Sequence, residues 1–84
     1  MFYIYVLRSK KDQKLYIGRT EDLKRRFTEH NSGQNKSTKY RRPFELIYYE
    51  AYKNENDAIT REKRLKQFKN GYRELKKRIN YSLK

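Results

Sequence analysis

Residues 2–8 read Phe-Tyr-Ile-Tyr-Val-Leu-Arg, and this run restricts the fold more than any other stretch of the chain. In an extended backbone Phe2, Ile4 and Val6 point to one side and Tyr3, Tyr5 and Leu7 to the other, so both faces are apolar. Such a strand has to be covered on both sides and belongs in the middle of a sheet. With 84 residues the chain makes one small domain, which buries only about 60% of its unfolded surface and has a modest core.

The remaining elements follow from punctuation and periodicity. Ser9 to Gln13 is a polar turn, and Lys14 to Thr20 is a second strand, completing a hairpin. Thr20 is placed to cap a helix whose first turn carries Glu21 and Asp22 at the positive end of its dipole. That helix runs to about Asn31 and stops at Gly33. A basic loop leads to Pro43, and Phe44 to Tyr52 form a third strand. Asn54 caps a second helix over about 55–69, with Ala58, Ile59, Leu65 and Phe68 as its apolar side. Asn70 and Gly71 are expected to break it. Tyr72, Leu75 and Ile79 give a short basic helix over 71–80 one apolar face. The fold class is α+β, a small three-stranded antiparallel sheet flanked by helices in the order β-β-α-β-α-α, as a single domain over 1–84 with its core in about 2–69.

Charge narrows the partner. Lysine and arginine total 23 against 10 acids, a net charge of +13. A field of that sign concentrates polyanions, of which nucleic acid is the usual one. Lys36, Lys39, Arg41 and Arg42 crowd the loop before Pro43 with no acid among them, and between Arg61 and Lys84 the only acids are Glu62 and Glu74. No segment pairs a basic face with a lipid-inserting apolar one, so no membrane partner is expected. Charged residues are 39% of the chain, but aromatics reach 15%, which disordered chains do not. There is no cysteine, hence neither a disulfide framework nor a thiolate metal site, and a cytosolic (cytoplasmic) location is expected.

Glycine interrupts the second strand at Gly18, where it costs stability unless something must come close to the backbone. If the hairpin turn centres between Lys11 and Asp12, Tyr5 lies opposite Gly18 and Leu7 opposite Tyr16. Tyr5 and Tyr16 are then diagonal neighbours on one face, within reach of each other, beside a gap at Gly18. The simplest alternative is two core tyrosines with satisfied hydroxyls.

Three charged or polar side chains point inward. On the first helix Leu23 and Phe27 form the apolar stripe, and Arg26 and His30 form a second i, i+4 pair on its shoulder. Taken singly, such an arginine braces a carboxylate and such a histidine is a packing residue. Glu62 falls between Ala58 and Ile59 on the helical wheel, where a carboxylate needs a cation or a metal. An internal salt bridge to Arg26 and a divalent-ion site both meet that need.

Together these positions resemble the GIY-YIG nuclease domain, in the small stand-alone form related to the N-terminal nuclease half of the repair excinuclease subunit UvrC. The second signature is Tyr16-Ile17-Gly18. The first is Tyr3-Ile4-Tyr5, with tyrosine in place of the family's first glycine. Arg26, His30 and Glu62 follow in order, and the match covers residues 2 to about 69. The resemblance implies a metal-dependent DNA endonuclease, with a structure-directed role in repair or recombination and RNA left open as a substrate. It implies that Glu62 holds Mg²⁺ or Mn²⁺, that Arg26 meets the phosphate as charge builds, and that Tyr5 takes the proton of the attacking water. Tyr16 would position the phosphate or the metal's waters, and His30 would orient a tyrosine or share the proton. Gly18 would let the scissile phosphate approach, while Arg19, Lys36, Lys39, Arg41 and Arg42 contact the backbone. Asn70 and Asn80 are candidates for a polar residue completing the site. A protein partner or a second copy of the chain would supply target selection. The alternative is a non-catalytic module that uses the same fold to bind nucleic acid through stacking and charge.

Overall fold

The computed structural model describes every residue except Phe68, so the place of Phe68 on the second helix lies outside the described residues. Strands β1 (Phe2–Ser9), β2 (Leu15–Thr20) and β3 (Phe44–Tyr52) form one antiparallel sheet in the order β2-β1-β3. The doubly apolar strand is therefore central, as its pattern requires. Its two faces feed two cores. Ile4, Val6 and Ile17 pack with Ala58, Leu65, Leu75 and Ile79, beneath helices α2 (Glu55–Gln67) and α3 (Lys69–Arg78). Tyr5, Leu7 and Phe44 pack with Leu23 and Phe27 of helix α1 (Leu23–Ser32) on the other side. Fully burying each such aliphatic or aromatic side chain stabilises the fold by about 1.5–3 kcal/mol before entropy is counted. A bulge in β3 beside Val6 and Leu7 lets the consecutive residues Ile47 and Tyr48 both join the first core.

The hairpin register is the expected one: Tyr5 faces Gly18 and Leu7 faces Tyr16. Its turn is held by the buried Ser9, whose hydroxyl accepts from the backbone N–H of Lys11 and of Asp12 and donates to the carbonyl of Arg41. Arg41 in turn donates to Asp12 and to the Lys14 carbonyl, tying the hairpin to the basic loop. That guanidinium is the main reason the exposed Asp12 carboxyl falls to about 2.

Two local expectations change. The first helix is capped by Asp22, whose carboxylate accepts from the Arg25 N–H, and not by Thr20. Thr20 instead uses its hydroxyl one step earlier, accepting from the Asp22 N–H. Both residues are capping types, and the helix simply starts two residues later. Gly33 ends it in the left-handed conformation, φ 82°, as expected. Asn54 also does what its position suggests, accepting from the Asn56 N–H at the start of α2. Asn70 and Gly71, however, do not terminate a helix: both lie in the first turn of α3. Gly71 eases a close approach there, because a Cβ would stand 3.1 Å from the Arg64 carbonyl oxygen, tighter than an ordinary contact. No helix among the described residues is long and apolar enough to cross a membrane.

Candidate active site

The face of the sheet beneath α1 gathers Tyr5, Tyr16 and His30. β1 supplies Tyr5, β2 supplies Tyr16 two residues from the glycine, and the last full turn of α1 supplies His30. Their rings are in mutual contact, with centroids 6.4 Å apart for the two tyrosines, 5.8 Å for Tyr5 and His30, and 5.0 Å for Tyr16 and His30. Phe44 closes the floor, 5.9 Å from the imidazole.

Hydrogen bonds run through the cluster. The Tyr5 hydroxyl lies 3.0 Å from His30 Nε2, and His30 Nδ1 lies 2.8 Å from Thr38 Oγ1. Tyr5, His30 and Thr38 are 1%, 0% and 1% exposed, so these bonds are sealed from water. Burial pushes the Tyr5 phenol up to about 12, against the pull of the neighbouring Arg26 guanidinium. A phenol titrating there is ionised in roughly one molecule in 10⁵ at neutral pH, so the nearby cation does not make the phenolate readily accessible. Burial, and then the Arg26 charge, push His30 below the usual histidine value, and the ring is neutral at pH 7.

The expected gap at Gly18 is closed. Gly18 is buried, and the Tyr5 phenol lies over it so closely that a Cβ would overlap the hydroxyl and Cζ. The missing side chain makes room for the tyrosine, not for a phosphate. Since Tyr5 is sealed and Tyr16 is half-buried, Tyr16 is the ring that a molecule arriving from solvent meets first.

The two expected charges part company. Arg26 pairs with Glu29 one turn along α1, at 3.1 Å, and sits beside the tyrosines, whose oxygens favour its charged form. Glu62 does not pair with Arg26. It lies on α2, where its two oxygens meet Arg19 at 3.2 Å and Lys66 at 3.0 Å, and its charge still reaches the Tyr5 phenol, adding to the rise that burial causes. Arg19 also reaches Glu55 at 3.1 Å. The Glu62 side chain is 20% exposed, against 33% for Arg19 and 48% for Lys66, so its partners are the more exposed side.

Among the described residues no three histidine or carboxylate side chains converge as a ligand set. A cage built wholly of protein ligands is therefore not what these residues offer. A lone, half-sheltered carboxylate does fit Mg²⁺, which keeps several waters and binds through one or two carboxylates together with substrate phosphates.

The basic loop is divided in its duties. Lys36 and Arg42 are exposed and Lys39 is half-buried, whereas Arg41 is engaged with the hairpin. Tyr40, exposed beside them, has Lys39 Nζ 4.9 Å from its ring centre. Asn70 lines a groove between α2 and α3 with Arg61, Arg64 and Arg78, and Asn80 is exposed beyond the end of α3. Both stand on the α2–α3 side, away from the Tyr5 cluster. The residue that sequence reasoning missed is Thr38. It sits in an irregular loop where no period marks it, and only its β-branched, polar character in a run of cations hinted at burial.

The family described as the GIY-YIG catalytic domain matches residues 1–80. The UPF0213 protein of Pediococcus pentosaceus is 49% identical over 67 residues, covering 79% of this chain and 70% of that protein. A UPF0213 protein of Staphylococcus saprophyticus is 42% identical over 67 residues, covering 79% of this chain and 80% of that one. No solved structure matches the chain. The chain belongs to the GIY-YIG family, and its relatives are small stand-alone members of it.

Proposed function

We propose that this GIY-YIG domain is a divalent-metal-dependent endonuclease that hydrolyses phosphodiester bonds in DNA, acting on branched or otherwise irregular structures in repair or recombination. Membership of the family makes a nuclease-type function and a nucleic-acid substrate the starting point. One observation carries the reading further. A half-buried tyrosine stands in contact with a sealed tyrosine–histidine pair, with an arginine beside both, inside an apolar core that needs neither a histidine nor an arginine for its packing.

The roles follow from position. Tyr16, on the solvent side, meets the attacking water or the phosphate. Tyr5 and His30 form the buried proton-accepting pair behind it, a revision of the expectation that Tyr5 meets the water directly. Positioned acids and bases of this kind contribute roughly 10²–10⁴-fold in rate. Arg26 is placed to pair with non-bridging oxygens as their charge grows, by exchanging its bond to Glu29 for one to phosphate. Glu62 would hold Mg²⁺ or Mn²⁺, which when bound supplies Lewis-acid stabilisation of the phosphoryl oxygens. Arg19 and Lys66 would then exchange their bonds to Glu62 for contacts with the substrate backbone. Lys36, Lys39 and Arg42 would extend that contact along the strand.

A second reading has its own support. With both Glu62 oxygens held by cations, the domain would be a nucleic-acid-binding module with no catalytic ion. Labelled duplex, flap, junction and single-stranded substrates incubated with Mg²⁺ or Mn²⁺ separate the two. Cleavage supports the enzyme, and binding without cleavage across the panel supports the module.

A further inference from the structure

Thr38 holds the position before the short 3-10 helix Lys39–Arg41, where a threonine ordinarily turns its hydroxyl onto the helix's own N–H groups. Here no such capping bond is made. The hydroxyl is instead buried and lies 2.8 Å from His30 Nδ1. We infer that Thr38 fixes His30 as the Nδ1–H tautomer, so that a bare Nε2 lone pair faces the Tyr5 hydroxyl.

The argument is a proton count. A neutral imidazole carries one N–H, and burial together with the Arg26 charge keeps this ring neutral. Suppose the proton is on Nε2. It then donates to the Tyr5 oxygen, and the phenol's own hydrogen needs another acceptor. Among the described residues His30 is the one possible acceptor bonded to the Tyr5 hydroxyl, because the neighbouring Arg26 guanidinium can only donate to it. One buried hydrogen is stranded, which disfavours that state by about tenfold or more. Now place the proton on Nδ1. Tyr5 donates to Nε2, Nδ1–H donates to Thr38 Oγ1, and the threonine hydrogen points to the Asn35 carbonyl at 3.5 Å. Every buried hydrogen has an acceptor, and all donors run in one direction. Thr38 is itself pinned by its backbone, its N–H donating to Asn35 and its carbonyl accepting from Arg41.

Joined to the proposed function, on which this role rests, the order of protons has a consequence. The Tyr5 O–H bond already points at the atom that would take its proton. As Tyr5 receives a proton from the solvent side, its own O–H can break while an Nε2–H bond forms. His30 becomes imidazolium and no free phenolate is required. Thr38 touches neither water nor phosphate and acts through His30, so it is a positioning residue.

The test uses a convenience of the chain: His30 is the sole histidine. A long-range ¹H–¹⁵N correlation spectrum of the ¹⁵N-labelled protein at pH 8 therefore contains one imidazole. A pyrrole-type Nδ1 and a pyridine-type Nε2 are expected. The reverse assignment in the wild-type protein overturns the inference without recourse to any variant. Thr38→Val keeps the shape and removes the hydroxyl, and should shift the ring towards the Nε2–H form, whereas Thr38→Ser should keep the wild-type pattern. An unchanged tautomer in folded Thr38→Val also overturns it. In cleavage assays Thr38→Val should lower kcat about tenfold or more at unchanged KM, with Thr38→Ser restoring it. Because the spectrum needs no substrate, an Nδ1–H pattern in a protein that cuts nothing sustains the tautomer assignment while sinking the nuclease reading.

Discussion

Gly18 and Tyr5 share one space: the phenol lies across the glycine, and a Cβ at position 18 would overlap its hydroxyl and Cζ and stand 2.9 Å from Cε1. The glycine is thus a packing partner of one side chain, which makes the pair testable by a double-mutant cycle. In a strand, alanine ordinarily improves on glycine by roughly 0.5–1 kcal/mol. Here Gly18→Ala should destabilise by about 1–3 kcal/mol through overpacking. In a Tyr5→Ala background the same change should be neutral or stabilising. Urea denaturation of the four proteins measures the coupling, and additive effects would contradict the shared space.

The two tyrosines should separate stability from rate. Tyr5→Phe leaves the buried His30 Nε2 without a partner, at a cost of about 1–3 kcal/mol, and a fall in melting temperature should accompany its loss of cleavage. Tyr16→Phe removes a hydroxyl on the solvent side. It should leave the melting temperature unchanged and lower kcat by roughly 10²–10⁴-fold. Wild-type turnover in Tyr16→Phe would move the water's first contact to another residue.

How much of this was legible in the sequence depends on the range of the interaction involved. The centre of the sheet, the hairpin register and the inward turn of His30 rest on periods of two and of three to four residues, and those periods survive folding intact. The role of Gly18 was half legible: its position opposite Tyr5 followed from register, but only side-chain packing shows which group fills the space. The start of α1 slipped from Thr20 to Asp22 because two capping residues compete, and the aspartate, the stronger N-cap type, is the one that caps. Asn70 and Gly71 read as a break because propensity ignores the close approach to Arg64 that a glycine eases. Glu62 was marked as needing a cation or a metal, with Arg26 as the expected cation. The cations that meet it are Arg19 from the edge strand and Lys66 one turn along α2, a choice set by how α2 lies over the sheet.

Glu50 anchors the opposite face. Its carboxylate accepts from Arg61 Nε and Nη2 and from the hydroxyls of Tyr48 and Tyr52. Burial pushes its carboxyl up, but these donors, Arg61 first, outweigh burial and hold it below the usual value. A group with a depressed folded-state pKa stabilises fully above its unfolded value and loses that contribution as pH falls through the folded one. Wild type should therefore lose stability as pH drops below about 4.3, the ordinary glutamate value. Glu50→Gln should be less stable at pH 7 by about 1–3 kcal/mol and should lose less on acidification. Melting curves at pH 7 and pH 3 check both, and an equal acid loss in the two proteins would remove Glu50 as its source.

The basic loop should govern salt dependence. Each neutralised phosphate contributes a slope of roughly −0.9 in log K against log salt on duplex DNA. Lys36, Lys39 and Arg42 replaced together by alanine should flatten the slope. Arg41→Ala is expected to act mainly by loosening the hairpin turn that it ties to Asp12. Fluorescence anisotropy over a salt series measures the slopes, and an unchanged slope in the triple variant would take the loop off the backbone.

The metal-dependent cleavage itself turns on Glu62. The most direct measurement is cleavage of a labelled duplex, flap, junction and single-strand panel by wild type and Glu62→Gln, each with Mg²⁺, Mn²⁺ and EDTA, with binding recorded in parallel. Glutamine keeps the shape and removes the charge that an ion needs. Wild type should cut at least one substrate with metal and none with EDTA, while Glu62→Gln binds the same substrates and cuts none. Cleavage by Glu62→Gln at the wild-type rate, or wild-type cleavage that persists in EDTA, would contradict the account.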